Sequence, residues 1–272
     1  MNKKILYISD LDRTLLNSEG KLSDFTYKTI NNLIQKGLMF TYATARSIVT
    51  AGAICEKLNL NIPVIVHNGI FITESKTTRI IKGNYLKKSD SEYILKRLVE
   101  NGVYPFVHTI IDGKERISYS ADYLTDGMKT FLDERKNDDR LNLVKLENLT
   151  DGDVFHFTCI DENQKLLKLS KMFKNDYHSI YYKDVYSGNM WLEILPKGIT
   201  KGTAIEGLKN MLDADKVVCF GDGVNDIEMF EKCDECYAVE NGDDIIKKKS
   251  NGIIGSNDND GVAKFLEQNA EF

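Results

Sequence analysis

Hydrophobic residues recur along this chain at two spacings in turn, and the alternation predicts a parallel α/β sheet. Residues 5–9 form a short apolar run of the kind found in a strand buried on both faces. Ser23 then reads as the N-cap of a helix over residues 24–36. Phe25, Ile30, Leu33 and Ile34 fall near helical spacing there, and Gly37 stops the pattern. A strand over 39–43, a helix over 48–58 and a strand over 64–66 leading into Asn68-Gly69 continue the series. Strands separated by helices run parallel, because each helix returns the chain across the sheet.

From residue 84 the pattern changes. It predicts a helix over 89–100, then strands over 104–111 and 115–120 joined through the turn Asp112-Gly113. A helical stretch over 123–135, a strand over 154–160, a helix over 163–173 and strands over 179–185 and 191–195 follow. Tyr181, Tyr182 and Tyr186 read as packing on a half-exposed strand. After residue 200 the first pattern resumes, with helices over 201–212, 224–232, 243–248 and 261–269 and strands over 217–220 and 237–239. The middle block therefore reads as a domain, 84–188, inserted into a discontinuous core of 1–83 and 189–272, with hinges near 83–87 and 187–191.

Composition narrows the function classes. A chain of 272 residues, 42% hydrophobic, accommodates two ordinary globular domains. The net charge of -5 argues against a nucleic-acid partner, and Lys247-Lys248-Lys249 reads as a solvated helix end. No run approaches the roughly 20 apolar residues of a membrane span, and the first strand begins too early for a signal peptide to precede it. The expected location is the cytoplasm. Five cysteines, an odd number, fit reduced thiols there. Cys233 and Cys236 lack a second pair or histidines at zinc-ligand spacing, and the histidines at 67, 108, 156 and 178 form no H-x-x-x-H pattern.

The chemistry concentrates in four segments. Asp10-Leu-Asp12-Arg-Thr14 follows the first strand, and carboxylates two residues apart on a strand point the same way. Where the strand gives way to a loop, both can converge on one phosphate and one cation, which suits phosphoryl transfer. Thr41-Tyr-Ala-Thr44-Ala-Arg46 ends the second strand, Pro196-Lys-Gly-Ile-Thr200-Lys201-Gly202 opens a helix, and Phe220-Gly-Asp222-Gly-Val-Asn225-Asp226 ends a later strand. In open parallel sheets ligands sit outside the carboxyl ends of the strands, where these segments are placed.

In this order the four segments resemble those of the haloacid dehalogenase (HAD) superfamily, and the long insert makes the chain similar to its Cof-type branch, class IIB. The resemblance implies a Rossmann-like parallel-sheet core with an inserted α+β cap, and a Mg²⁺-dependent phosphatase working through an aspartyl-phosphate. It implies Asp10 as nucleophile and metal ligand, Asp12 as acid/base and, through its backbone carbonyl, a metal ligand, and Asp222 as the third ligand. A like charge at Asp10 favours the protonated form of Asp12 that an acid needs. Thr44 and Lys201 would bind the phosphoryl group, and Asn225 and Asp226 would support metal and lysine. A plain helix-start role for Asp226 stays equally open. Arg46, Asn68 and Gly69 are candidate substrate contacts, with ordinary loop roles equally open.

The implied partner is a sugar phosphate or other small phosphorylated metabolite, met by a monomer or weak homo-oligomer. The second motif commonly reads Thr-Gly-Arg and here has Ala45. The first commonly has Gly where this chain has Arg13, which reads either as a contact to a second anionic group or, preferentially, as a solvated side chain. A phosphosugar mutase would share the aspartyl-phosphate step. A non-catalytic regulator would bind the phosphometabolite without turnover, but such proteins usually lose one of the reacting groups, and all are present here.

Overall fold

The computed structural model describes residues 3–184 and 188–271. In chain order its elements are β1 (Ile5–Ser9), α1 (Asp24–Gln35), β2 (Met39–Tyr42), α2 (Ile48–Ile54), β3 (Val64–Val66), β4 (Phe71–Thr73) and β5 (Ile80–Gly83). Next come α3 (Lys88–Glu100), β6 (Phe106–Ile111), β7 (Lys114–Tyr119), α4 (Asp126–Asp133), β8 (Leu141–Leu143), β9 (Asp153–Ile160), α5 (Asn163–Phe173), β10 (His178–Lys183) and β11 (Met190–Leu195). The remainder is α6 (Lys201–Leu212), β12 (Lys216–Gly221), α7 (Ile227–Phe230), β13 (Glu235–Val239), α8 (Asp244–Lys249), β14 (Gly252–Ile254) and α9 (Gly261–Asn269). Two units result, Met1–Gly83 with Ile199–Phe272, and Asn84–Gly198. Among the described residues no helix is long and apolar enough to cross a membrane.

The first unit is built on a five-stranded sheet in the order β14-β13-β12-β1-β2, parallel throughout. Central β1 sits between β12 and β2. Its Leu6 and Ile8 are fully buried against Val217 and Cys219 of β12 and against Ala204, Ile205 and Leu208 of α6. That burial is the continuous apolar run seen in the sequence. Ser23 caps α1 as expected, its hydroxyl accepting from the Thr26 amide at 2.9 Å.

The second unit carries a six-stranded sheet, β10-β11-β9-β6-β7-β8, antiparallel except for the parallel pair β7–β8. Leu166, Leu169 and Phe173 of α5 and Ile94 and Leu98 of α3 bury Val107, Phe157 and Leu192 of the sheet. Met128 and Phe131 of α4 pack with Phe106, Ile117 and Ile160. Tyr181 and Tyr182 are packing residues in β10. The first is half-buried against the α3–α5 cluster, and the second donates its hydroxyl to Glu193 at 3.3 Å. Val185, Tyr186 and residue 187 of the expected second hinge lie outside the described residues.

Two expectations need correction, and one sheet was not anticipated. The second crossing between units falls at Gly198/Ile199, not at 188/189. The reason is that β11 is hydrogen-bonded on both edges within the second sheet, to β10 and to β9. Beyond β3, where the strand reading ended, the chain forms a three-stranded sheet β3-β4-β5, whose three- and four-residue strands are too short to show a period. Finally, the thiols expected to be reduced include a bonded pair. Cys219 of β12 and Cys233, just past α7, form a disulfide with Cα atoms 6.3 Å apart, while Cys55, Cys159 and Cys236 are free and buried.

Candidate active site

Strand ends deliver the acidic residues to one place. Asp10 leaves β1 with its amide donating to the Phe220 carbonyl at 2.9 Å, which locks the end of β1 to the end of β12. The chain then makes a tight helical turn over Leu11–Leu15 that Arg13 enters in the left-handed region, φ 58°. β12 ends in Gly221 and delivers Asp222. Asp226 folds its own loop, its Oδ2 accepting from the amides of Asp222 at 3.0 Å and Gly223 at 3.2 Å.

Lys201 arrives on the first turn of α6. Thr200 caps this helix reciprocally with Thr203, amide to hydroxyl in both directions at 3.2 and 3.0 Å. Two glycines let the helix start lie where it does. A Cβ on Gly69, φ 96°, would come within 2.2 Å of the Thr200 carbonyl oxygen, and one on Gly202 within 2.2 Å of the Glu228 carbonyl oxygen. Gly69, for which a substrate contact and an ordinary loop role were equally open, acts in this structure as the seat of the α6 N-terminus.

The ammonium of Lys201 lies 2.6 Å from Asp10 Oδ1 and 2.8 Å from Asp226 Oδ1, with side chains 1%, 5% and 0% exposed respectively. A cation at a helix N-terminus opposes the macrodipole, and the two carboxylates offset that cost. Burial alone would depress the Lys201 pKa, but Asp10 and Asp226 outweigh it and hold the ammonium above the ordinary lysine value. Negative charge is nonetheless in excess. Burial pushes the Asp10 carboxyl well above the usual carboxylate range despite Lys201. Asp222 is pushed up to about 6 by burial and by Asp226, with Arg13 pulling the other way.

This charge balance tests the site against a divalent cation. One oxygen from each of Asp10, Asp222 and Asp226 falls within 4.8 Å of the others, all three residues buried. Hard carboxylate oxygens crowded beyond what one ammonium neutralises fit a hard cation such as Mg²⁺. The Asp12 side chain is not in this group.

The Asp12 carboxylate turns instead to Arg46, which forks onto it from Nε at 2.8 Å and Nη2 at 2.6 Å. Arg46, a candidate substrate contact, is therefore engaged by the candidate acid. Thr44 is buried at the end of β2, its hydroxyl accepting from the Arg46 amide at 3.1 Å. Asn68 is half-buried in the turn after β3, φ 53°, and its amide donates to the Thr44 carbonyl at 3.0 Å. Asn225 is exposed at the rim of the Asp222 loop.

Two participants escaped the sequence reading. Thr14 donates its hydroxyl to Asp222 Oδ1 at 3.2 Å. Asn241 donates through Nδ2 to the Arg13 carbonyl at 2.7 Å and accepts from Arg13 Nη2 at 3.1 Å. Thr14 stood inside the first motif and could have been found. Asn241, in the loop after β13, carried no signal. Arg13, read preferentially as solvated, also lies 3.6 Å from Asp222 Oδ2 through Nη1.

Known proteins resemble the chain along nearly its whole length. The chain is 27% identical over 277 residues to the 5-amino-6-(5-phospho-D-ribitylamino)uracil phosphatase YwtE of Bacillus subtilis, covering 95% of this chain and 96% of that one. It is 25% identical to YitU of the same organism, which carries the same activity in its name, over 98% of this chain and 97% of the relative. The crystal structure of TM0651 from Thermotoga maritima superposes with a TM-score of 0.80 at 23% identity, covering 99% of this chain and 98% of the other. The family model of haloacid dehalogenase-like hydrolases matches residues 7–266. With nearly its whole length matched, the chain belongs to the haloacid dehalogenase-like hydrolase family and is an enzyme of that family.

Proposed function

We propose that the protein is a Mg²⁺-dependent phosphatase of sugar phosphates or similar small phosphorylated metabolites, acting in the cytoplasm as a monomer or weak homo-oligomer. The observation that carries the reading is the buried cluster in which Lys201 bridges Asp10 and Asp226 beside Asp222. In this reading Asp10, Asp222 and the Asp12 carbonyl hold Mg²⁺, which when bound neutralises charge between the carboxylates and the phosphate.

Asp10 Oδ2, the oxygen not facing Lys201, attacks phosphorus as the bond to the leaving oxygen breaks. Asp12, exchanging Arg46 for substrate, gives the leaving oxygen its proton. Asp12 then takes a proton from a water whose oxygen attacks the phosphorus of the aspartyl-phosphate, which frees inorganic phosphate and restores Asp10. Lys201 and the Thr44 hydroxyl meet the phosphoryl oxygens, where charge grows in the transition state. Asn225 and Asp226 support from the loop behind, Asp226 by orienting Lys201.

Phosphate release across a panel of phosphorylated sugars, nucleotides and ribityl compounds, with and without Mg²⁺, tests the reading. The panel includes a phosphoribityl compound because the two Bacillus relatives are named for one. Mg²⁺-dependent release that Asp10→Asn abolishes is expected. Release that survives Asp10→Asn would exclude the aspartyl-phosphate, and an isomerised sugar phosphate in place of free phosphate would indicate a mutase.

A further inference from the structure

Arg13 occupies a position whose backbone is left-handed, φ 58° and ψ 6°. That conformation disfavours any residue with a Cβ and suits glycine. Contacts with Asn241 hold the arginine there. Asn241 clasps it from both sides, donating to its carbonyl at 2.7 Å and accepting from Nη2 at 3.1 Å. The clasp aims the other guanidinium nitrogen at Asp222 Oδ2, 3.6 Å away.

Charge partners divide unevenly within the acidic cluster. Lys201 contacts Asp10 and Asp226. Asp222 receives the neutral Thr14 hydroxyl on Oδ1 and the Arg13 cation on Oδ2. The Arg13 side chain is 56% exposed and Asp222 9%, so the guanidinium sits at the solvent side of a nearly buried carboxylate. A cation binding among the three carboxylates meets this resident charge, and two cations on one carboxylate repel.

We propose that Arg13 is a positioning residue that occupies Asp222 until a divalent cation displaces it, and so weakens the cation affinity of the site. This rests on the reading of Asp222 as a metal ligand. The consequence is regulatory, because occupancy then responds to free Mg²⁺ over a higher concentration range than the carboxylates alone would set.

The size of the effect follows from the half-exposed pair. Such pairs are screened by water, and their removal changes an equilibrium by at most about fivefold. The experiment is Mg²⁺ binding to metal-stripped protein, by calorimetry and by displacement of Mn²⁺ followed by electron paramagnetic resonance, without substrate. Arg13→Ala removes the charge and keeps a Cβ in the left-handed turn; Arg13→Gly removes both. Both variants are expected to bind Mg²⁺ more tightly than wild type, by up to about fivefold, and Arg13→Lys to stay within about twofold of it.

Unchanged or weaker binding in Arg13→Ala and Arg13→Gly overturns the inference. Asp222→Asn keeps the two readings apart. If it abolishes binding while the Arg13 variants show no gain, Asp222 is a ligand and only the role of Arg13 fails. If no variant, nor wild type, binds Mg²⁺, the metal site itself is misread and this inference falls with it.

Discussion

Replacing Gly69 by alanine separates two roles that sequence could not. As a substrate contact, Gly69 would tolerate a methyl group with a change confined to KM. In the structure a Cβ there meets the Thr200 carbonyl oxygen at 2.2 Å and the Thr200 carbonyl carbon at 2.6 Å. Unbonded atoms of this kind need roughly 1 Å more, and the obstacle is backbone, so either the turn or the α6 N-terminus must shift. Overpacking of this sort costs about 1–3 kcal/mol, and alanine at φ 96° adds about 1 kcal/mol. The sum is about 3 kcal/mol. For a unit of this size that lowers Tm by roughly 6–12 °C.

Because Lys201 follows Thr200 directly, the shift also moves the ammonium away from Asp10 and Asp226. Misplacement by about 1 Å can cost on the order of a hundredfold in rate. The assay pairs a thermal melt with steady-state kinetics of phosphate release. A fall in both Tm and kcat is expected. An unchanged Tm with a raised KM would refute the packing argument and return Gly69 to the substrate.

Lys201→Ala in metal-free protein leaves two buried carboxylates unpaired and is expected to destabilise by about 3–5 kcal/mol in urea titration. A loss below about 1 kcal/mol would mean that the pair is not ionised as described. In the second unit, hydrogen bonds from the Arg140 side chain, at 2.6–3.2 Å, hold the Asp138 carboxyl below its ordinary value of 3.8. A carboxylate with a depressed folded-state pKa contributes stability that is full above the unfolded value and is lost as pH falls through the folded one. Unfolding followed through Trp191, the single tryptophan, should therefore show wild type losing its advantage over Arg140→Met as pH drops from about 5 to about 2.5. A gap between the two that stays constant over this range would contradict the assignment.

Much of the core was legible because its signals are local. The apolar run of β1, the Ser23 cap and the Gly37 stop each lie within a few residues of what they specify. Asp10 and Asp222 could be placed together because strand ends of a parallel sheet share an edge, and Lys201 because it opens the helix of a neighbouring motif. What escaped depends on partners distant in sequence. The bidentate grip of Arg46 on Asp12, the clasp of Asn241 on Arg13 and the pairing of Cys219 with Cys233 each join segments that no spacing rule relates. The role of Gly69 escaped for the same reason, since its constraint is a carbonyl on a helix more than a hundred residues away. Likewise β11 could not be assigned to a sheet until its two neighbours were known.

The central position of β1 also has a bearing on synthesis. Its neighbour β2 is made at once, but the other, β12, begins only at Lys216. Between them the chain spells out the whole of the second unit, Asn84–Gly198, whose sheet draws on no strand from outside that stretch. On the ribosome the inserted unit can fold while the first awaits its middle pairing, the long-range closure that slows such topologies. Asp10 is made well before Lys201, Asp222 and Asp226, the residues that complete its cluster. The acidic cluster thus cannot form until the sheet is nearly complete.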